Sequence, residues 1–162
     1  MTGRLWNHPN APRHGWVCIG VYDVYEHGDV LEKCQACGEK KIRYVHIMQH
    51  PDYSQTVDAG CHCASKMEMD SNAADIRESD FINKQKRRNN WLKDNWKINE
   101  KGNYIKRKEG YIITLFHRNK KWGYSISKRA QKTSNTPIFS QRYYDNVSEA
   151  KKASFEEFED IK

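Results

Sequence analysis

Four of the five cysteines lie in two close pairs, and this feature limits the possible folds more than any other. Cys34 and Cys37 have two residues between them and are followed by Gly38, which is the pattern of a zinc knuckle. Cys61 and Cys63 form a second pair with one residue between them. Zn²⁺ prefers four soft ligands in a tetrahedron, and paired cysteines supply them with little loss of chain entropy. The sequence therefore predicts one structural zinc site in the first half of the chain, with these four cysteines as its metal ligands.

Other interpretations of the cysteines stay open. The C-x-C pair needs a bend, which Gly60 before it can supply. Three nearby histidines, His46, His50 and His62, are possible replacement ligands. The alternatives to metal binding are that the four cysteines are reduced core residues or that they form two disulfides. A chain without a signal sequence is expected in the reducing cytoplasm, where close cysteine pairs bind metals more often than they form disulfides.

The composition limits the class of protein. Only 37% of the 162 residues are hydrophobic, so neither half can bury a large core, and a metal site would compensate for this. Aromatic residues make up 12% of the chain and include five tryptophans, which excludes a disordered protein. No apolar run is long enough to cross a bilayer. We therefore expect a folded cytoplasmic protein without a membrane partner.

Positive charge is concentrated in one stretch of the chain. Residues 83–133 contain sixteen Lys or Arg and three Asp or Glu, whereas the other residues contain twelve and eighteen. Such a block attracts polyanions at short range even at cellular salt. The expected partner is therefore a nucleic acid, DNA or RNA, or an acidic surface of a nucleic-acid-processing protein. The cations predicted to contact phosphates are Lys84, Lys86, Arg87, Arg88, Lys106, Arg107, Lys108, Arg118, Lys120, Lys121, Lys128 and Arg129.

The side-chain pattern of the first half predicts strands followed by a helix. Residues 42–48 alternate in a β-rich run, and the Pro-Asp step at 51–52 predicts a turn before the second cysteine pair. The chain therefore contains a knuckle, a strand, a turn and a second cysteine pair in that order. This is the order found in a zinc ribbon or a treble-clef-like module. Residues 73–96 have ragged helical spacing and one strongly cationic face, which predicts a basic helix.

The last third of the chain has the period-two pattern of an antiparallel sheet, which makes the predicted fold class α+β. Residues 104–108, 111–116 and 122–127 are predicted strands, with a polar loop at 128–137. A turn and N-cap at 145–148 precede a helix that continues to the end. The predicted modules are a zinc-binding module at 1–72, a basic helical connector at 73–98, and an antiparallel sheet with one C-terminal helix at 99–162.

The first module contains several short motifs in a fixed order: Cys34-x-x-Cys-Gly, Ile42-Arg-Tyr-Val-His46, His50-Pro-Asp-Tyr53, Gly60-Cys-x-Cys-Ala64 and Met67. Together these motifs resemble those of a family of uncharacterised bacterial and phage zinc-knuckle proteins. The resemblance implies a shared metal module and no particular activity.

The order of elements in the last module is similar to two groups of DNA-binding domains. A strand, a Trp-containing strand and a strand ending in Tyr-Tyr-Asp precede the helical run Ser-Glu-Ala-Lys-Lys-Ala-Ser-Phe. This order resembles the arm-binding domains of tyrosine integrases and the plant ethylene-response-type DNA-binding domain. The resemblance implies three strands lying in a DNA groove, with the helix behind them.

The leading functional hypothesis is a non-enzymatic accessory protein that binds nucleic acid and contains a structural zinc site. The cations would neutralise phosphates, and Tyr104, Trp122 or Tyr124 could stack on exposed bases. The alternative for these three rings is burial under the C-terminal helix. Phosphate contacts carry no sequence information, so the affinity should fall steeply with salt.

Two other functions compete with this hypothesis. The chain could be a phage or mobile-element inhibitor of the anti-defence type, whose basic block binds a host nucleic-acid enzyme. It could also be a zinc-stapled HNH-like nuclease, because treble-clef folds carry such sites and His46, His50, Asp52 and His62 are close to the cysteines in sequence.

Overall fold

The computed structural model describes residues 4–28, 30–39, 41–129 and 136–162. Within these residues the fold consists of three α-helices and antiparallel sheets, which confirms the α+β class. The chain divides into two compact units, Met1–Lys84 and Gln85–Lys162. The division falls inside the longest helix, in the segment that the sequence predicted as a connector.

The first unit contains a three-stranded sheet, a two-stranded ribbon, two 3₁₀ helices (Leu5–Asn7 and Val24–Glu26), one complete α-helix and the first part of the longest α-helix. The sheet has the order β1-β4-β5, and the ribbon pairs β2 with β3, both antiparallel. Two residues connect β4 to β5, because His50 pairs directly with Tyr53. The elements are β1 (Val17–Asp23), β2 (Glu32–Lys33), β3 (Lys41–Ile42), β4 (Tyr44–His50), β5 (Tyr53–Ala59), α1 (Cys61–Glu68) and α2 (Ala73–Lys93).

Local chemistry sets the helix boundaries in the first unit. Gly60, in an extended conformation, precedes α1, and the helix ends where Met69 adopts a left-handed backbone. The Asp70 carboxylate accepts the backbone N–H groups of Asn72 and Ala73, which satisfies donors at the start of α2. The core of this unit is built from the buried residues Leu5, Ala11, Trp16, Cys34, Ala36, Met48, Val57, Ala59, Cys63, Ala64, Met67 and Ala74.

The second unit contains a five-stranded antiparallel sheet and a C-terminal helix. Its strand order is β10-β9-β8-β7-β6. Two tight turns have positive φ at both central residues, Glu109-Gly110 and Asn119-Lys120, as two-residue hairpins require. Residues 130–135 of the predicted polar loop lie outside the described residues. The elements are β6 (Lys97–Ile98), β7 (Tyr104–Lys108), β8 (Tyr111–Arg118), β9 (Lys121–Lys128), β10 (Ile138–Phe139) and α3 (Val147–Ile161).

One face of this sheet is covered by α3. Asn146 caps the helix, because its side chain accepts the Glu149 backbone N–H at 2.9 Å. Alternate residues of β8 and β9 then pack against the helix. This core is formed by Trp91, Ile113, Leu115, Tyr124, Ile126, Ala150, Phe155 and Phe158.

None of the helices in the described ranges has the length and apolar content needed to span a membrane.

Candidate metal centre and open sheet face

Three of the predicted metal ligands lie together in the first unit. The Sγ atoms of Cys34, Cys37 and Cys63 are all within 4.8 Å of one another. Cys34 and Cys63 are buried, and Cys37 is half-buried. Sulfurs bound tetrahedrally to Zn²⁺ at about 2.3 Å would be about 3.8 Å apart, so this donor set fits a metal ion. All five cysteines are free thiols in this structure.

The knuckle turn and the start of α1 bring these sulfurs together. The backbone N–H of Gly38 bonds the Cys34 carbonyl at 2.7 Å, and Gly38 has a φ of +71°, which glycine adopts without strain. Cys63 lies in the first turn of α1. The backbone N–H of Gly60, just before α1, donates to the Cys34 sulfur at 3.4 Å. The centre therefore depends on two turns that are distant in sequence.

Hydrogen bonds and burial shift the pKa values of two thiols of this cluster. A hydrogen bond with Cys63 lowers the pKa of Cys34 to about 5, although burial opposes this shift. The backbone N–H groups of Cys37, Gly60 and Ala36 also favour the Cys34 thiolate. The same interaction raises the pKa of Cys63. Metals bind thiolates, and a lowered pKa makes Cys34 easier to deprotonate than Cys63, its hydrogen-bond partner.

The fourth predicted ligand, Cys61, belongs to a different group of side chains. It lies two residues before Cys63 on α1, and two helical residues are separated by about 200° around the axis. The Cys61 thiol instead donates to Asp75 Oδ1 at 2.7 Å. Burial and this hydrogen bond raise the pKa of Cys61 to about 12. Ligand atoms of His46 and Glu78 lie within 4.8 Å of the Cys61 sulfur and of each other.

This second group is part of a hydrogen-bonded chain of charged residues. Arg77 Nη1 lies 3.2 Å from Nδ1 of the fully buried His46, and Nη2 of the same arginine lies 2.6 Å from Glu68. Since arginine only donates, His46 Nδ1 accepts, and Nε2 carries the proton that bonds Glu78 at 3.1 Å. This tautomer leaves neither ring nitrogen open to a cation. The chain therefore ties β4, α1 and α2 together.

The residues proposed for an HNH-like nuclease are not gathered in one place. His50 Nδ1 accepts the backbone N–H of Asp52, and its ring lies 5.3 Å from that of Trp16. His62 is exposed on α1. In the part of the chain that the structure describes, the groups of close metal-ligating side chains contain none of His50, Asp52 and His62. The geometry gives no support to the nuclease hypothesis.

Lys106 differs from the other predicted phosphate contacts because it is buried. Only 7% of its surface is exposed. Its ammonium group lies 2.8 Å from Asp94 Oδ2 and over the rings of Trp91 and Trp96, at 5.2 and 5.4 Å. A buried ammonium needs such a partner to offset its lost hydration. Lys106 is therefore an internal cation of the second unit and is not part of the exposed charge.

The other predicted cations are spread over several elements. Arg87 bonds Glu159 at 2.7 Å, Lys121 lies 3.2 Å from Asp145, and Lys128 lies 5.6 Å from the Tyr111 ring. Lys84, Lys86, Arg87 and Arg88 are on α2, Arg107 and Lys108 on β7, Arg118 on β8, Lys120 in the following turn, Lys121 and Lys128 on β9, and Arg129 just after it.

Strand alternation brings several cations onto the side of the second sheet that points away from α3. Arg118 and Lys121 are cross-strand partners, and Arg107 pairs with Ile112. We call this side the open face; none of its residues in the described strands is acidic. It consists of Lys97, Ile105, Arg107, Ile112, Thr114, Phe116, Arg118, Lys121, Gly123, Ser125, Ser127 and Phe139, together with Tyr143.

Three aromatic rings meet on the open face. The Phe116 ring contacts those of Phe139 and Tyr143 edge to face, at centroid distances of 6.5 and 6.3 Å. Phe139 is 61% exposed and Tyr143 is 42% exposed. A Cβ atom at Gly123 would lie 3.0 Å from both Phe116 and Tyr143, so glycine gives these rings room to meet.

The aromatic residues that the sequence offered for base stacking lie on the other side of the sheet. Tyr124 is buried in the core under α3, and Tyr104 and Trp122 pack against that core. The exposed rings of the open face were missed. The alternation along β8 could have identified one member of this cluster. Phe116 is out of step with the core residues Ile113 and Leu115, so its side chain lies on the opposite face of the sheet.

Comparison of the chain with protein-family models, with curated proteins and with solved structures finds no match. The resemblances drawn from the sequence motifs therefore stay predictions.

Proposed function

We propose that this protein binds nucleic acid through the open face of its second unit and is not an enzyme. The observation that carries the proposal is the composition of this face. It has Lys97, Arg107, Arg118 and Lys121 around apolar and aromatic residues. Its described strand residues include no carboxylate, and the carboxylate of Asp145, which follows the strands, lies 3.2 Å from Lys121. Phosphates would bind the cations, and the fixed backbone of the strands would hold those cations in register.

The metal that best suits the first unit is zinc, in a structural role. Three thiolates are soft ligands, and a buried site with sulfur donors is typical of structural Zn²⁺. Cys34, Cys37 and Cys63 would hold the ion, and Cys61 is proposed as the fourth ligand only if its thiol turns away from Asp75, to which it now donates a hydrogen bond. In that role zinc would stabilise the fold and leave binding to the second unit.

The proposal is tested by removing charge from the open face. The measurement is fluorescence anisotropy of labelled single-stranded and duplex oligonucleotides over a salt series from about 50 to 200 mM. We expect the Arg107→Gln, Arg118→Gln double variant to bind at least tenfold more weakly at low salt. Its plot of log affinity against log salt should be shallower by about 2, which corresponds to two lost phosphate contacts.

A matched control removes the same charge from the first unit. Lys33 and Lys41 are exposed cross-strand partners on the β2–β3 ribbon, and their double change to glutamine should leave the affinity within about twofold. Equal loss in both double variants would mean that only net charge matters and would refute an open-face site. Absence of binding to either oligonucleotide at low salt would refute the proposed function itself.

A further inference from the structure

The chemistry of the open face also defines the kind of nucleic acid. Resting on the proposed function, we infer that its ligand is a single strand whose bases stack on Phe139 and Tyr143 while its phosphates contact Arg107, Arg118 and Lys121. Single-stranded DNA and single-stranded RNA share this chemistry, since every base has a π-face. The inference concerns strandedness and does not require a particular sequence.

The first support is the exposure of two large rings in a unit whose other aromatic side chains are all buried or half-buried. Phe139 lies on the short edge strand β10, opposite Ser125, and Tyr143 lies over Gly123. Both are more exposed than a folding role requires, because rings of this size gain most from burial. Their exposed π-faces are available to a ligand.

The second support is that these rings are held in place. Phe116 is half-buried and contacts both of them edge to face, with interplanar angles of 71° and 78°. A base that stacks on a ring already fixed by packing costs little side-chain entropy. The absence of a Cβ at Gly123 lets Phe116 and Tyr143 approach each other. The cluster is therefore a preorganised stacking platform.

The third support is the mismatch between this face and a duplex. In a duplex the π-faces of bases are covered by their neighbours, and sequence readers insert polar side chains that bond base edges. The middle of the open face has instead Ile112, Thr114 and Phe116 on β8, beside Ser125 on β9. Arginine is confined to positions near the strand ends, where Arg107 and Arg118 would meet a backbone. This arrangement is typical of single-strand platforms, which combine stacking with a basic border.

The test uses the full chain and three probes of about 15 nucleotides: oligo-dT, oligo-U and a mixed-sequence duplex. We expect Phe139→Ala and Tyr143→Ala each to weaken binding of the single strands about tenfold and to change duplex binding by less than about twofold. Phe139→Tyr should retain binding, because it keeps a ring. Tyr25→Ala is the matched control, since Tyr25 is an exposed aromatic of the first unit.

The possible outcomes separate the inference from the function on which it rests. Loss of single-strand binding on ring removal, with rescue by Phe139→Tyr, supports the inference. The relative loss on oligo-dT and on oligo-U shows whether DNA or RNA uses the rings more. If the chain binds the duplex in an Arg118-dependent manner and the ring variants bind every probe as the wild type does, the stacking inference is overturned and the proposed function stands. If no probe binds, both fail.

Discussion

The two units differ in the types of residue that form their cores. The core of the first unit contains five alanines and two of the clustered cysteines beside a few large residues, and His46 of the same unit is also buried. The second unit packs the rings of Trp91, Phe155 and Phe158 against isoleucine and leucine. Apolar area buried per residue is small for alanine and large for rings. The first unit should therefore depend more on sulfur ligands and ionic contacts, and the second mainly on the packing of its rings.

The largest expected effect is the unfolding of the first unit when the proposed zinc ion is removed. Structural zinc binding contributes on the order of 10 kcal/mol to folding. Chelation, or the change Cys34→Ser, should abolish the amide hydrogen-exchange protection of β4 and β5, whereas β8 and β9 keep theirs. Elemental analysis of the purified chain would give about one zinc per molecule, and this amount should fall in the variant.

Cys18 provides the control for this experiment. It is a half-buried cysteine outside the cluster, and its thiol bonds the Gly20 carbonyl. Cys18→Ser should keep both the metal and the protection. A metal-free chain with full protection of β4 and β5 would show that the first unit folds on its alanine-rich core alone.

The next largest effect should be confined to the second unit. Trp91 is buried, packs against Phe158 at 4.9 Å and donates from Nε1 to Ser154. Trp91→Ala leaves a cavity and should lower the free energy of unfolding of this unit by about 3–5 kcal/mol. Denaturant titration followed by hydrogen exchange would show the loss in β8 and β9 and none in β4. Tyr143→Ala, on the open face, should cost less than about 0.5 kcal/mol.

The ionic chain of the first unit supplies a third test of the comparison. Arg77 bonds the Glu68 carboxylate, whose side chain is only 13% exposed. Arg77→Ala would leave this carboxylate buried without its partner and should lower the free energy of unfolding by about 3 kcal/mol. Adding Glu68→Gln to this variant should restore part of the lost free energy of unfolding, because it removes the carboxylate charge that no longer has a partner.

Thermal unfolding of the single and double variants gives the coupling energy between these two residues. Lys86→Ala, at an exposed position of the same helix, is the control and should change little. Strictly additive losses for Arg77 and Glu68 would mean that the ion pair does not stabilise the unit.

The sequence predicted the strands and the helix of the second unit. It did not predict which of its charged side chains is buried or which of its aromatic rings are exposed. Alternation placed the strands β7, β8 and β9, and the turn and N-cap predicted at 145–148 marked the start of α3, because both signals are local. Lys106 looked like any other cation, since nothing in its own segment reveals Asp94, twelve residues away. The aromatic cluster of the open face was also hidden, because Phe116 on β8 contacts Phe139 and Tyr143 only once the sheet has formed.

In the first unit the cysteine spacing predicted a metal cluster but not the orientation of each thiol. Cys34, Cys37 and Cys63 lie together as expected. The orientation of Cys61 depends on the helix beginning at Cys61 itself, and a helix turns residues two apart to opposite sides. The buried Glu68–Arg77–His46–Glu78 chain was not foreseen, because its residues become neighbours only after β4 and α2 pack.

The smallest expected effect concerns pH and the Lys106–Asp94 ion pair beside the rings of Trp91 and Trp96. The hydrogen bond from Lys106 lowers the pKa of Asp94 below its ordinary value. A carboxylate with a lowered pKa stabilises the fold above its unfolded pKa of about 4, and this contribution is lost as the pH falls through the folded pKa. Because Asp94 is 47% exposed, Asp94→Asn should cost only about 1 kcal/mol at pH 7. In denaturant titrations the difference from the wild type should shrink as the pH falls below about 4 toward the folded pKa. Asp160→Asn, at an exposed position of α3, gives the baseline. An Asp94→Asn difference that stays constant from pH 7 to pH 3 would show that packing of the Lys106 stem between Trp91 and Trp96, and not the ion pair, holds this lysine inside.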